Sequence, residues 1–205
     1  WLEEQWDGPY WRHGSLRSRD ERGEWVGYER IRIPTMIVAG WADGYRNNSY
    51  RTFERLPAGR ELLIGPWAHA FPDDALPGPS IGFLQECVRW WDHWLKGIDT
   101  GLMNEAPISL FVMGVNQWRD EQEWPLARAV DTPFYLRAEE QLSRERPASD
   151  EAPDHFVYDP ANPVPTRGGA TLMSPEFPAG PMDQRALEAR PDVLTFSTEA
   201  LREDT

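Results

Sequence analysis

Long apolar runs, basic charge and cysteine are all scarce in this sequence of 205 residues. No apolar stretch approaches the roughly 20 residues that a helix needs to cross a bilayer, so a helical membrane span is not expected. Only 21 Lys and Arg stand against 34 Asp and Glu, a net charge of −13. Nucleic acid requires a basic face for its phosphates, and anionic lipid attracts the same charge, so neither is an expected partner. The acidity speaks to solubility and not to fold. The one cysteine, Cys87, forms no internal disulfide. That removes a disulfide argument for secretion without fixing a compartment; location stays open, with the cytoplasm favoured. Also missing is a G-x-S-x-G turn, the strand-to-helix corner that presents a nucleophilic serine. The chain begins at Trp1 without Met or a signal-like segment and ends at Thr205 just after a strand-like run. Both ends read as cut, and a targeting signal would not be visible.

What is present centres on Arg32 to Phe71. Two short runs rich in Ile, Leu and Val, Ile33 to Ala39 and Glu61 to Ile64, are closed by Gly or Pro and too short for helices. They read as buried strands. Between them, Tyr50, Phe53 and Leu56 recur at helical spacing over Asn48 to Leu56. Strand, helix, strand is the unit of a parallel sheet. Each strand delivers one ionisable residue a few positions past its C-terminal end, Asp43 and His69, and chemistry in open α/β sheets collects at that edge. A carboxylate that holds one ring nitrogen of an imidazole leaves the other to take a proton from a nucleophile. Asp43 and His69 follow the chain order of the last two members of an α/β-hydrolase triad, Ser, Asp, His. An Asp after a strand also caps helices, and a lone His is often a satisfied structural residue. Spacing alone leaves both readings open. If the relay reading holds, the carboxylate should lie roughly 2.6–3.2 Å from the ring.

The motifs GWADGY around Asp43 and IGPWAHA around His69 resemble the acid and base motifs of the cocaine-esterase and X-Pro dipeptidyl-peptidase family of serine hydrolases. The resemblance continues through FLQECVRWWDHWLKGID, PISLFVMGVNQWRDEQEWPL, GGATL and GPMDQRALEARPDVLTFST. It covers nearly the whole chain, in order. It implies an α/β plus all-β chain: residues 1–30 as the end of a helical cap region, 31–99 as the C-terminal part of an α/β-hydrolase sheet, and 100–205 as an incomplete jelly-roll, galactose-binding-like β-sandwich. It further implies Asp43 and His69 as catalytic residues. Tyr45 and Trp41 would bind substrate, a small-molecule or peptide ester or amide. No cofactor and no metal is implied. The family pattern has Trp-Tyr-Asp where this chain has Trp41-Ala42-Asp43, a departure that bears on pocket shape and not on the acid. Without its nucleophile the chain would be inert alone. The alternative is a non-catalytic β-sandwich interaction module carrying a hydrolase remnant. An unpaired sheet edge makes an oligomer compatible with either.

The remaining segments have plainer readings. Residues 1–30 are polar and aromatic; His13 lacks a strand end to present it. His69, Asp73 and Asp74 could be considered as metal ligands, but a second imidazole and a helical ligand spacing are missing. Ser80 to Gly97 reads as a helix with Leu84, Cys87, Val88, Trp91, Trp94, Leu95 and Ile98 on its buried face and a left-handed stop at Gly97. Trp67 is expected to pack beneath the His69 loop. Beyond a linker at 98–106, period-two alternation at Ile108 to Met113, at Phe134 and Leu136, at Phe156 and Tyr158, and at Val193 to Ser197 predicts short strands. Eleven Trp and nineteen Pro suit loop-rich β structure. Gln117 to Pro125 reads as a surface flap whose Trp side chains cover a sheet or the hydrolase domain, in preference to a sugar-binding aromatic platform. Arg137 to Asp154 reads as a charged mobile loop, and Arg185 as a maker of structural ion pairs.

Overall fold

Three sheets and a few short helices make up the computed structural model, which describes residues 2–12, 15–23, 25–57, 59–172 and 178–201. In chain order the elements are α1 (Pro9–Arg12), β1 (Arg17–Arg19), β2 (Trp25–Gly27), β3 (Thr35–Gly40), α2 (Arg46–Arg55), β4 (Arg60–Gly65), α3 (Phe83–Lys96), β5 (Ile108–Val112), β6 (Gln117–Glu121), β7 (Tyr135–Arg137), β8 (Gln141–Ser143) and α4 (Arg185–Glu188). The chain divides into two compact units. The first holds residues 1–127 and 169–180; the second holds 128–168 and 181–205.

In the first unit, the sheet that matters runs β3-β4-β5-β6. β3 and β4 are parallel, with Ile37 opposite Leu62 and Gly40 opposite Gly65. The expected strand–helix–strand unit is therefore present. Its side chains alternate between faces, as a pleated strand requires. Leu62, Ile64, Ile108 and Leu110 face Phe53 of α2 in one buried cluster, with Trp41, Tyr50 and Trp124 packed at its margin. Burying side chains of this size contributes roughly 1.5–3 kcal/mol each. The other face carries Met36, Glu61, Leu63 and Ser109, which line a cavity of about 560 Å³ with Glu86 and Arg89 of α3.

The strand expected from Ile108 is present as β5, whereas residues 117–121 differ from the flap expectation. Gln117–Glu121 is the edge strand β6, antiparallel to β5, with Trp118 opposite Phe111. Its Trp does cover a sheet: Trp118 packs on Trp67 and Phe111 at 5.9 and 5.4 Å between ring centroids. The α3 helix ends as expected on Gly97 in the left-handed conformation. Its buried face is another matter. Trp90 is buried, while Leu84, Val88, Trp91 and Leu95 are exposed. Apolar residues fill a sector so wide that a period of 3.6 identifies an amphipathic helix without deciding which part of the sector meets the sheet. Cys87 is half-buried, its thiol pushed up chiefly by desolvation, with Asp73 and Glu86 adding to the effect.

In the second unit, β7 and β8 form a two-stranded hairpin, which replaces the expected mobile loop over part of 137–154. Glu151 binds the Arg137 guanidinium at 3.0 Å and accepts the Ala138 N–H at 2.6 Å. Phe156 and Tyr158 lie in no strand, and of Val193 to Ser197 only Ser197 bridges, to Gln141. Pro153, Pro160 and Pro191 flank these stretches, and proline cannot donate to a ladder. Arg185 pairs with Asp183 of its own segment. No helix among the described residues is long and apolar enough to cross a membrane. His13 lies outside the described residues.

Candidate active site

The β3 and β4 strands stop at the same level because Gly40 and Gly65 are register partners. Both glycines are required by close approach: a Cβ on Gly40 would collide with the Trp67 carbonyl, and one on Gly65 with the Trp67 indole. Their absence lets the Trp67 side chain fold beneath the loop it leads. It is 1% exposed and donates its Nε1–H to the Pro79 carbonyl at 2.7 Å, so it supports the His69 loop as expected. The two loops are also joined through the backbone. Trp41 N–H donates to Gly65 O at 2.9 Å, and Ala42 N–H to Trp67 O at 3.0 Å.

These constraints bring the acid and the imidazole together. His69 Nδ1 lies 3.0 Å from Asp43 Oδ2, inside the expected range. Asp43 Oδ1 accepts the Tyr45 N–H at 2.8 Å, closing a turn just ahead of α2. Asp43 is therefore not the cap of α2, whose N-cap is Tyr45 without a side-chain cap bond; one carboxylate oxygen closes the turn and the other faces the imidazole. The Asp43 side chain is 16% exposed and that of His69 57%. A carboxylate accepts only, so Nδ1 carries the proton of this bond. Among the described residues His69 Nε2 has no hydrogen-bond partner, which leaves it available to accept a proton.

The two aromatic residues proposed from sequence are placed differently. Tyr45 stands against His69, rings edge to face at 5.5 Å, and is exposed. Trp41 turns inward: its Nε1–H donates to Phe111 O at 2.7 Å, and its ring leans on Tyr50, which stacks on Trp124. Arg46 Nη1 donates to Trp41 O at 3.2 Å, tying the acid turn to the start of α2. Asp73 Oδ1 accepts the Leu84 N–H at 3.3 Å, so it serves the entry to α3. No cluster of three or more potential metal ligands occurs among the described residues.

A second ionisable group was not flagged by sequence reasoning. Glu61, on the sheet face opposite the core, has its Oε2 buried without a hydrogen-bond partner. Burial pushes its carboxyl up to about 7, against the pull of Arg89 and with Glu105 and Glu86 adding to the rise. Arg89 itself binds Glu105 at 2.7 Å and Glu86 at 2.9 Å, so its charge is shared. The only sequence signal was a charged residue opening an apolar run.

Residues 1–71, which carry both Asp43 and His69, match the family described as X-Pro dipeptidyl-peptidase (S15 family). Residues 100–205 match the X-Pro dipeptidyl-peptidase C-terminal non-catalytic domain. The chain is 35% identical over 190 residues to a cocaine esterase of Rhodococcus sp., an alignment covering 83% of this chain and 33% of that protein. Two solved structures are similar in fold. An aminopeptidase from a marine sediment Thaumarchaeota archaeon gives a TM-score of 0.67 at 25% identity, covering 95% of this chain and 36% of its own. An α-amino acid ester hydrolase gives 0.63 at 25% identity, covering 98% and 38%. The chain spans about a third of the length of these relatives. With both parts of the sequence matched in order, the chain belongs to the cocaine-esterase and X-Pro dipeptidyl-peptidase family of α/β-hydrolase serine hydrolases.

Proposed function

We propose that this chain is the acid- and base-bearing part of a serine hydrolase that cleaves an ester or amide through an acyl-enzyme. The observation that carries the reading is the 3.0 Å approach of His69 Nδ1 to Asp43 Oδ2 at the C-terminal ends of adjacent parallel strands. In the reaction, His69 Nε2 removes the proton from a serine hydroxyl as it attacks the carbonyl carbon. The imidazolium then gives that proton to the leaving alcohol or amine. Asp43 holds the ring in the required tautomer and stabilises its positive charge. Water repeats the cycle on the acyl-enzyme. In this reading the serine and the oxyanion donors lie in polypeptide that precedes this stretch, the donors at the residue after the nucleophile and in an earlier loop. Tyr45 forms a wall of the acyl pocket beside His69, and Trp41 shapes that wall from behind. No cofactor is needed for this chemistry. In the same reading, residues 1–30 end a cap, 31–99 belong to the hydrolase domain, and 100–205 contribute a jelly-roll, galactose-binding-like domain whose first strands, β5 and β6, extend the sheet of β3 and β4.

The test is burst acylation by p-nitrophenyl acetate in the longer protein that carries this stretch. His69→Ala should abolish the burst, and full retained activity would refute the assignment. The 205-residue chain alone should be inert. The second reading, a non-catalytic interaction module, is favoured by the described character of the family matched at 100–205. It predicts that the longer protein too lacks a burst.

A further inference from the structure

The stretch matched by the C-terminal non-catalytic family does not stay away from the acid and base. Residues 169–180 fall in the first compact unit, with the sheet that carries Asp43 and His69. Gly169 and Gly180 exchange two backbone hydrogen bonds, at 2.8 and 2.9 Å, which fixes both ends of the excursion against each other. Ala179, 6% exposed, packs in one cluster with Ala42 and Ala68. Ala42 immediately precedes Asp43, and Ala68 immediately precedes His69. On the other side of the acid, a Cβ on Gly44 would lie 3.7 Å from the Ala170 carbonyl and 3.9 Å from a Leu172 methyl. Ala42 therefore packs with this segment, and Gly44 faces it across a gap about one methyl wide.

The alanine cluster also closes a backbone frame. Ala42 N–H bonds to Trp67 O, and Ala68 N–H bonds to Leu76 O at 3.0 Å. Gly180, with φ +102°, abuts Pro77, the residue after Leu76; a Cβ there would lie 2.7 Å from the Pro77 ring. The acid turn, the base loop and the loop at 76–77 thus meet on Ala179–Gly180. Alanine occupies all three contact positions, and each is 6% exposed or less. A larger group at 179 must displace residue 42 or 68, and close-packed interiors pass such strain to their neighbours.

We infer that Ala179 is a positioning residue for the Asp43–His69 pair, so that the segment named non-catalytic sets the geometry of the catalytic loops. The inference rests on the function proposed above. It needs no contact between Ala179 and substrate. A hydrogen bond of 3.0 Å weakens steeply with displacement and misalignment, and a misplacement of about 1 Å costs on the order of 100-fold in rate.

The experiment has two arms. In the 205-residue chain, ¹⁵N spectra of the His69 ring report which nitrogen carries the proton. The unsubstituted chain should show the Nδ1–H tautomer at alkaline pH. Ala179→Leu should move the ring toward the mixture of a free imidazole, while Ala179→Ser retains the original spectrum. In the longer protein, Ala179→Leu should lower the acylation rate about 10- to 100-fold with KM for p-nitrophenyl acetate changed less than about twofold, and Ala179→Ser should restore it. If Ala179→Leu does not fold, Ala179→Val is judged by the same spectrum and rate. A folded Leu or Val variant with an unchanged tautomer and an unchanged rate overturns the positioning role. A longer protein whose burst survives His69→Ala overturns the functional reading instead, whatever Ala179 does.

Discussion

The two compact units are built on different physics. In the first, every buried apolar side chain among the described residues finds its place, from Tyr28 through Leu62, Ile64, Trp67 and Ile108 to Ala179. In the second, none does: Leu136, Phe156, Val157 and Tyr158 are all exposed. That unit is instead held by guanidinium–carboxylate pairs, Arg137 with Glu151 and Arg190 with Asp192, and by backbone bonds of Ser197 to Glu140 and Leu142. The contrast teaches where precision comes from. A parallel pair with a buried face has a register that cannot slip without turning its core side chains to solvent, so the residues beyond its strand ends arrive at fixed positions. Asp43 and His69 are placed by that register.

The largest effect should come from breaking the first unit's core. Leu62 is 0% exposed and Val157 82%. Leu62→Ala should cost about 2–5 kcal/mol, read by chemical denaturation, whereas Val157→Ala should fall within about 0.5 kcal/mol of the parent. Equal losses would mean that the units do not differ in this way.

Next is Glu61. Its folded pKa of about 7 is raised above the usual carboxylate value, chiefly by burial. The native state therefore binds more protons than the unfolded chain between these values, and stability falls as pH rises from about 4.5 through 7. Glu61→Gln should flatten that decline. Discounted for partial solvent access, the gain above pH 8 is roughly 1–2 kcal/mol, disappearing below about pH 4.5. A variant that is equally stabilised at both ends of the range would contradict this.

Smallest is the carboxylate latch of the second unit. Glu151 lies below the usual carboxylate range, first through the Ala138 N–H and then through Arg137 and the Ala148 N–H. A depressed pKa stabilises above the unfolded value and is lost as pH falls through the folded one. Glu151→Gln should therefore loosen amide protection in the Tyr135–Ser143 hairpin at neutral pH, with less difference in acid, while leaving Leu62 and Ile64 amides unchanged. Protection lost equally in both units would show that they unfold together.

This contrast also explains what could be read from the sequence. The strands Thr35–Gly40 and Arg60–Gly65 are each one compact apolar run bounded by Gly or Pro, and such runs carry their own boundaries. The meeting of Asp43 and His69 followed from strand order and similar overhang, three residues past Gly40 and four past Gly65. The α3 face did not follow, because Leu84, Val88 and Trp91 are as apolar as Trp90 and Trp94. Strands expected at 156–158 and 193–196 failed because alternation supplies a face but not a neighbour to bond. The alanine contact at 42, 68 and 179 was invisible for another reason: three small residues far apart in sequence carry no periodic signal until the fold brings them together.

Whether Asp43 fixes the tautomer of His69 is decided by ¹⁵N spectra of the His69 ring before and after Asp43→Asn. A dominant Nδ1–H tautomer is expected in the parent chain, and its loss in the variant, whose amide no longer offers an obligate acceptor. A parent ring already showing the tautomer mixture of free imidazole, unchanged by Asp43→Asn, would contradict it.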